Sequence, residues 1–229
     1  MSGGMIIGNI SGKADTVMTT NGDMVDFRSG ARSRLAIGTQ THVLTVSGSD
    51  LPEWTAASSV VGQQDMTVPS SAMWTTTTNG AEFLATEVGT DKPMYQTFDF
   101  DQSTEEHVQF TIPMPRNYDN GTLTARFYWL ASSSSGDVVW ALAGTAFDDD
   151  DPIDASFGTE QTTTSTMTAT SDVNISDFTS AITIGGTPAD AAMLQFQVTR
   201  NATDGADDLA ADAKLFAIVF TYTLDAATT

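Results

Sequence analysis

The sequence contains no cysteine, which excludes disulfides, thiolate zinc sites and cysteine nucleophiles together. It has no run approaching the ~20 apolar residues that a membrane-spanning helix needs. The opening Met-Ser-Gly-Gly-Met-Ile-Ile-Gly lacks a charged leader followed by a long apolar stretch. A secretory signal is therefore not expected, and synthesis in a cytoplasm is. Basic residues are scarce: nine Lys and Arg against 29 Asp and Glu give a formal net charge of −20. Such a chain repels nucleic acid and anionic lipid, so neither is an expected partner. Helical periodicity is also missing, apart from a short turn expected at Asp207–Lys214.

Hydrophobic residues make up 40% of the 229 positions, which places the chain among folded proteins rather than disordered acidic tails. The charge is uneven. Residues 1–60 carry four basic and five acidic groups, whereas residues 61–229 carry five and 24. Two domains are expected on this division: a small β segment at 1–60 and an acidic body at 61–229. In the first, Thr41–Ser47 alternates like a strand and ends in the turn signal Ser47-Gly-Ser-Asp50. Asp23–Phe27 reads as a shorter strand led in by Asn21-Gly22. Residues 55–67, rich in Ser, Thr and Gln, read as a linker.

The body reads as a succession of strands with β-branched and aromatic residues in near-alternation. These are Phe83–Val88, Met94–Phe100, Glu106–Ile112, Thr122–Leu130, Gly136–Phe147, Ile175–Ile184, Met193–Thr199 and Leu215–Thr223. A polar Thr-rich run fills 159–170, and clusters such as Asn117–Gly121 and Gly185–Pro188 supply turns. Many strands without helices between them imply an all-β antiparallel sandwich, and the number favours a jelly roll with an extended N-terminal β-arm over the other Greek-key sandwiches that the same strands allow.

No constellation of residues points to catalysis. The two histidines are His42 and His107. Strand alternation puts His107 and Glu105 on one face and Glu106 on the other, as in a solvated strand face. Trp129 and Trp140 sit in apolar runs and read as core rather than as sugar platforms. Asp148–Asp151 and Asp204–Asp208 are oxygen-rich loops of the kind calcium uses, but neither has EF-hand spacing. A phosphate-binding loop, a GxSxG elbow and an HExxH pair are all missing. No enzyme, cofactor or metal is expected.

The arm contains Thr20-Asn-Gly-Asp23, Arg34-Leu-Ala-Ile-Gly-Thr39, Val43-Leu-Thr-Val46 and Pro52-Glu-Trp54. This order resembles a module of tailed-bacteriophage virion proteins, with Gln40-Thr-His42 where that module has a glycine spacer. In the body, Phe110–Pro115, Tyr118–Trp129, Gly136–Trp140 and Arg200–Asp204 look like a β-sandwich domain of phage structural proteins. That resemblance spans most of residues 94–223 and implies a trimeric surface protein.

The resemblance implies a capsid decoration (cement) protein on the outer surface of a phage head. Its partners would be the major capsid protein and two further copies of itself, as a homotrimer. Arg28, Arg32 and Arg34 would bond shell carboxylates, while Leu35, Ile37 and Trp54 would bury apolar area. Trimerisation would multiply three weak anchors. Alternatively, the arginines pair with the chain's own acidic groups. The alternative function is a tail fibre or receptor-binding protein whose sandwich holds host surface glycans. A secreted carbohydrate-binding or hydrolytic sandwich would need a signal and a convincing site, and the sequence displays neither.

Overall fold

The computed structural model describes residues 23–28, 31–39, 42–56, 62–115, 118–188 and 192–224. The Asn21-Gly22 turn, the Gln40-Thr41 spacer and residues 57–61 of the expected linker lie outside them. The chain divides into two compact units, residues 1–60 and 61–229.

The described residues of the first unit form two antiparallel ribbons. Strand β1 (Met24–Arg28) pairs with β2 (Ala31–Leu35), setting Met24 opposite Leu35. Strand β3 (His42–Val46) pairs with β4 (Pro52–Ala56), setting Leu44 opposite Trp54. Among the described residues, two contacts within this unit stand out. The buried carboxylate of Asp23 accepts bonds from Arg34 Nε at 2.7 Å and from the Ile37 amide at 2.9 Å. The Trp54 ring lies against Gly38, where a Cβ would come within 2.7 Å of ring carbons. A hydrogen atom is all that fits there, so the glycine of the Arg-Leu-Ala-Ile-Gly-Thr stretch and the tryptophan of Pro-Glu-Trp form one contact.

The second unit is an all-β sandwich of jelly-roll order. One sheet contains β5 (Gln63–Pro69), β7 (Glu82–Glu87), β8 (Met94–Phe100), β10 (Tyr118–Ala131), β13 (Asn174–Ile175) and β15 (Ala213–Leu224). The other contains β6 (Trp74–Thr75), β9 (Glu106–Pro113), β11 (Asp137–Phe147), β12 (Gln161–Thr166) and β14 (Met193–Arg200). Their orders are β13-β10-β15-β8-β7, with β5 also on β15, and β12-β11-β14-β9-β6. Strands β8 to β15 thus form a ribbon in which β8 runs beside β15, β9 beside β14, β10 beside β13 and β11 beside β12. Rolling that ribbon brings β10 against β15 and β11 against β14, which closes the jelly roll.

Inward residues of both sheets meet in one aromatic core. Trp140 of β11 stacks on Phe127 at 5.5 Å between centroids and meets the edge of Phe100 at 5.1 Å. Phe196 of β14 faces Phe220 at 4.8 Å. Such rings bury large apolar areas and gain about 0.5–1.5 kcal/mol more per pair from their geometry. Trp129 and Trp140 are fully buried, as their apolar runs implied.

The described residues contain no α-helix, only a 3-10 turn at Ser70–Ala72. Four expectations differ in detail. The second half of the supposed linker is strand β5, because Met66 and Val68 alternate inward from a polar edge. Tyr118 already belongs to β10, and residues 118–121 of the expected turn cluster become a register shift between Tyr118 and Leu123, with Asn120 at φ +57°, while Asn117 lies outside the described residues. Ile175–Ile184 pairs regularly only at its start. Residues 207–212 are irregular rather than helical, since their backbone and side chains bind Arg200 and Asp137.

Candidate functional site

The outer face of the six-stranded sheet carries a depression of about 690 Å³. Strand register builds its floor. Asp65 of β5, Thr221 of β15 and Thr124 of β10 lie side by side across three strands. Their chain neighbours Leu123, Ala125, Phe220 and Tyr222 are buried, so this row points away from the core. The Thr221 hydroxyl donates to Asp65 Oδ1 at 2.5 Å. Gln63 and Gln64 extend the rim, and Gln64 Oε1 accepts a bond from Tyr222 at 3.1 Å.

Arg126 stands two residues beyond Thr124 on the same face of β10. Its other wall comes from an irregular stretch. After β13, the Ser176 amide donates to the Phe127 carbonyl at 3.0 Å and the Thr179 amide to the Ala125 carbonyl at 2.8 Å. The hydroxyls of Ser176 and Thr179 accept in return from the amides of Phe127 and Ala125. With its edge satisfied in this way, the chain is free to push Asp177 and Phe178 outward. The Phe178 ring then lies 4.9 Å from the Arg126 guanidinium carbon, and the Tyr128 ring lies 5.7 Å from it. These contacts hold the cation in place by attraction to the ring faces. Phe178 remains 44% exposed. Among the described residues Arg126 makes no ion pair, and its Nε is covered without a hydrogen-bond partner.

The depression therefore combines an apolar ring face, a cation, one carboxylate, hydroxyls and amides. Such a set can hold a polyhydroxylated ring, whose C–H face packs on an aromatic surface while its hydroxyls exchange hydrogen bonds around the rim. Among the described residues, Asp65 is the acid that lines it.

The five-stranded sheet presents a different outer face. Gln195 donates to Gln109, and Gln109 to Gln197, at 2.8 and 2.9 Å. Trp74, 46% exposed, sits opposite Gln109 in register. His107 on this face shares a 3.0 Å hydrogen bond with Thr199 and lies 3.8 Å from Glu105. Glu106 points elsewhere and accepts the Asp101 amide at 2.8 Å; burial raises its pKa. Asp101 itself binds the Ser103 hydroxyl and the amides of Ser103 and Thr104, which holds its pKa down at about 2.

The acidic loops serve the fold. Asp207 is buried against Arg200, Asp208 accepts the Asp137 amide at 2.7 Å, and Asp151 accepts the Asp148 amide at 2.8 Å. No group of three potential metal ligands occurs among the described residues.

The sequence-predicted site residues lie apart from the depression, all in the first unit. Arg28 and Arg32 occupy β1 and β2. Arg34 is bonded to Asp23, Leu35 ends β2, Ile37 is exposed, and Trp54 covers Gly38. Sequence reasoning passed over Asp65, Thr124, Arg126, Phe178 and Thr221. A weak signal was the charged Arg126 inside the otherwise uncharged strand Thr122–Leu130.

No family model matches the chain, and no curated protein matches it. Among solved structures it is similar to TmCBM61 in complex with β-1,4-galactotriose, at 13% identity and a TM-score of 0.29, over 73% of this chain and 90% of that one. The expectation of a capsid decoration protein, partnered by a major capsid protein and assembled as a bacteriophage homotrimer, is corrected here. The matched structure is a carbohydrate-binding module holding a galactan sugar, not a capsid cement protein. The physical basis for docking is also weaker than the sequence suggested, because the Arg34 charge is taken up by Asp23 within its own unit.

Proposed function

We propose that the chain is a non-catalytic glycan-binding protein and that the depression on the six-stranded sheet receives the sugar. The observation that carries this reading is the exposed Phe178 ring beside Arg126, next to the Asp65–Thr221–Thr124 row. It places an apolar platform within one depression together with donors and acceptors. The tight strand pairing beneath keeps those groups in position before any ligand arrives, which lowers the ordering cost of binding.

A glycan array probed with the purified chain, followed by titration of the best ligand, tests the reading. Wild type is expected to bind at least one oligosaccharide class, and Phe178→Ala to lose about ten-fold or more, the scale of one well-packed aromatic contact. Silence across the array, or full binding by Phe178→Ala, overturns it.

A further inference from the structure

Acids outnumber bases by 29 to nine, so a guanidinium on a sheet face has many carboxylates to choose from. Arg34 takes Asp23, Arg200 takes Asp207 and Lys214 takes Asp99. Among the described residues Arg126 takes none. Two aromatic rings hold it in the depression, and its covered Nε has no partner. Asp65 shares the depression, but its carboxylate bonds to Thr221. A cation that is positioned yet left unpaired among so many acids is poised for an anion from outside.

Resting on the glycan-binding reading, we propose that the sugar held here is an acidic one, whose carboxylate is gripped by Arg126. The two terminal nitrogens of a guanidinium present parallel N–H groups matched to the two oxygens of a carboxylate. The acceptors Asp65 and Thr124 then face sugar hydroxyls rather than the acid group. The ring of the same sugar residue rests on Phe178. A sulfate ester offers similar oxygens on a tetrahedral centre, so the two anions are separable by experiment.

The test titrates the full chain with trigalacturonate, with neutral galactotriose and with sulfated galactotriose. Wild type is expected to bind the uronate about ten-fold or more tightly than the neutral trisaccharide, the size of a charge-assisted hydrogen-bond pair. Arg126→Gln should bring the two within about two-fold, and Arg126→Lys should fall between, keeping the charge but losing the fork. Fluorescence of the buried Trp129 and Trp140 checks that each variant stays folded. Equal wild-type affinity for uronate and neutral sugar, or an undiminished preference in Arg126→Gln, overturns the acidic-sugar assignment and leaves the glycan site standing. Preference for the sulfated chain overturns the carboxylate assignment. Binding to none of the three overturns this inference, and silence on the full array removes the glycan reading as well.

Discussion

Arg200 and Asp207 face each other through two parallel hydrogen bonds, Nη2 to Oδ1 at 2.8 Å and Nε to Oδ2 at 3.1 Å, with both side chains almost wholly buried. The remaining N–H groups of Arg200 go to the carbonyls of Phe100, Ala211 and Leu209. Asp207 also accepts the Val139 amide. The pair therefore ties the ends of β8, β11 and β14 to the loop before β15. Removing either partner leaves the other charged and unmatched in the core. Asp207→Ala and Arg200→Met are each expected to cost about 3–5 kcal/mol, measured by urea unfolding. A loss under ~1 kcal/mol would show that the pair contributes little.

Gly136 has φ +121°, and a Cβ there would sit 2.7 Å from the Leu209 Cα. Backbone does not yield as a side-chain tip does. Gly136→Ala should cost about 1–3 kcal/mol or more, whereas Gly205→Ala, with open space around it, should stay within about 0.5 kcal/mol of wild type. Comparing the two melting curves checks the claim.

Asp101 supplies an acid-sensitive element. Its pKa in the folded chain, about 2, lies below the ordinary 3.8 because Ser103 and Thr104 bond to its charged form. Its stabilisation is complete above the unfolded value and disappears as pH falls through the folded one. Asp101→Asn keeps an acceptor oxygen without titrating. Between pH ~4 and ~2 the variant should lose less melting temperature than wild type; parallel losses would refute a role for this carboxylate.

Phe178 and Trp74 are exposed on opposite sheets, and they give opposite expectations. Phe178→Ala should abolish most glycan binding. Trp74→Ala, on the glutamine-lined face, should change affinity by less than about two-fold, within the range of a residue outside the contact. If calorimetry finds the reverse, the binding surface is the amide ladder of Gln109, Gln195 and Gln197.

The strands were readable because alternation is local. Val138, Trp140 and Leu142 lie in the core cluster as their apolar run implies, and Met94–Phe100 is a strand with the bounds its pattern suggested. The arginine cluster drew attention as a block of like charge, but clustering along the chain does not reveal partners. Asp23, eleven residues before Arg34, became visible as its partner only in three dimensions. Asp65 fell in a stretch read as a linker, and Phe178 in one read as a regular strand.

By itself the sequence determined the all-β class, the inward face of most strands and the strongly acidic surface. These follow from composition and from a two-residue period that each segment carries within itself. Only the tertiary structure decided which strands became neighbours. Thr221 meets Asp65 across 156 positions of chain, and Arg126 meets Phe178 because a hydroxyl-bonded edge released two residues outward. Pairing of distant strands depends on how the whole ribbon rolls to bury its aromatic rings, and no local stretch encodes that choice.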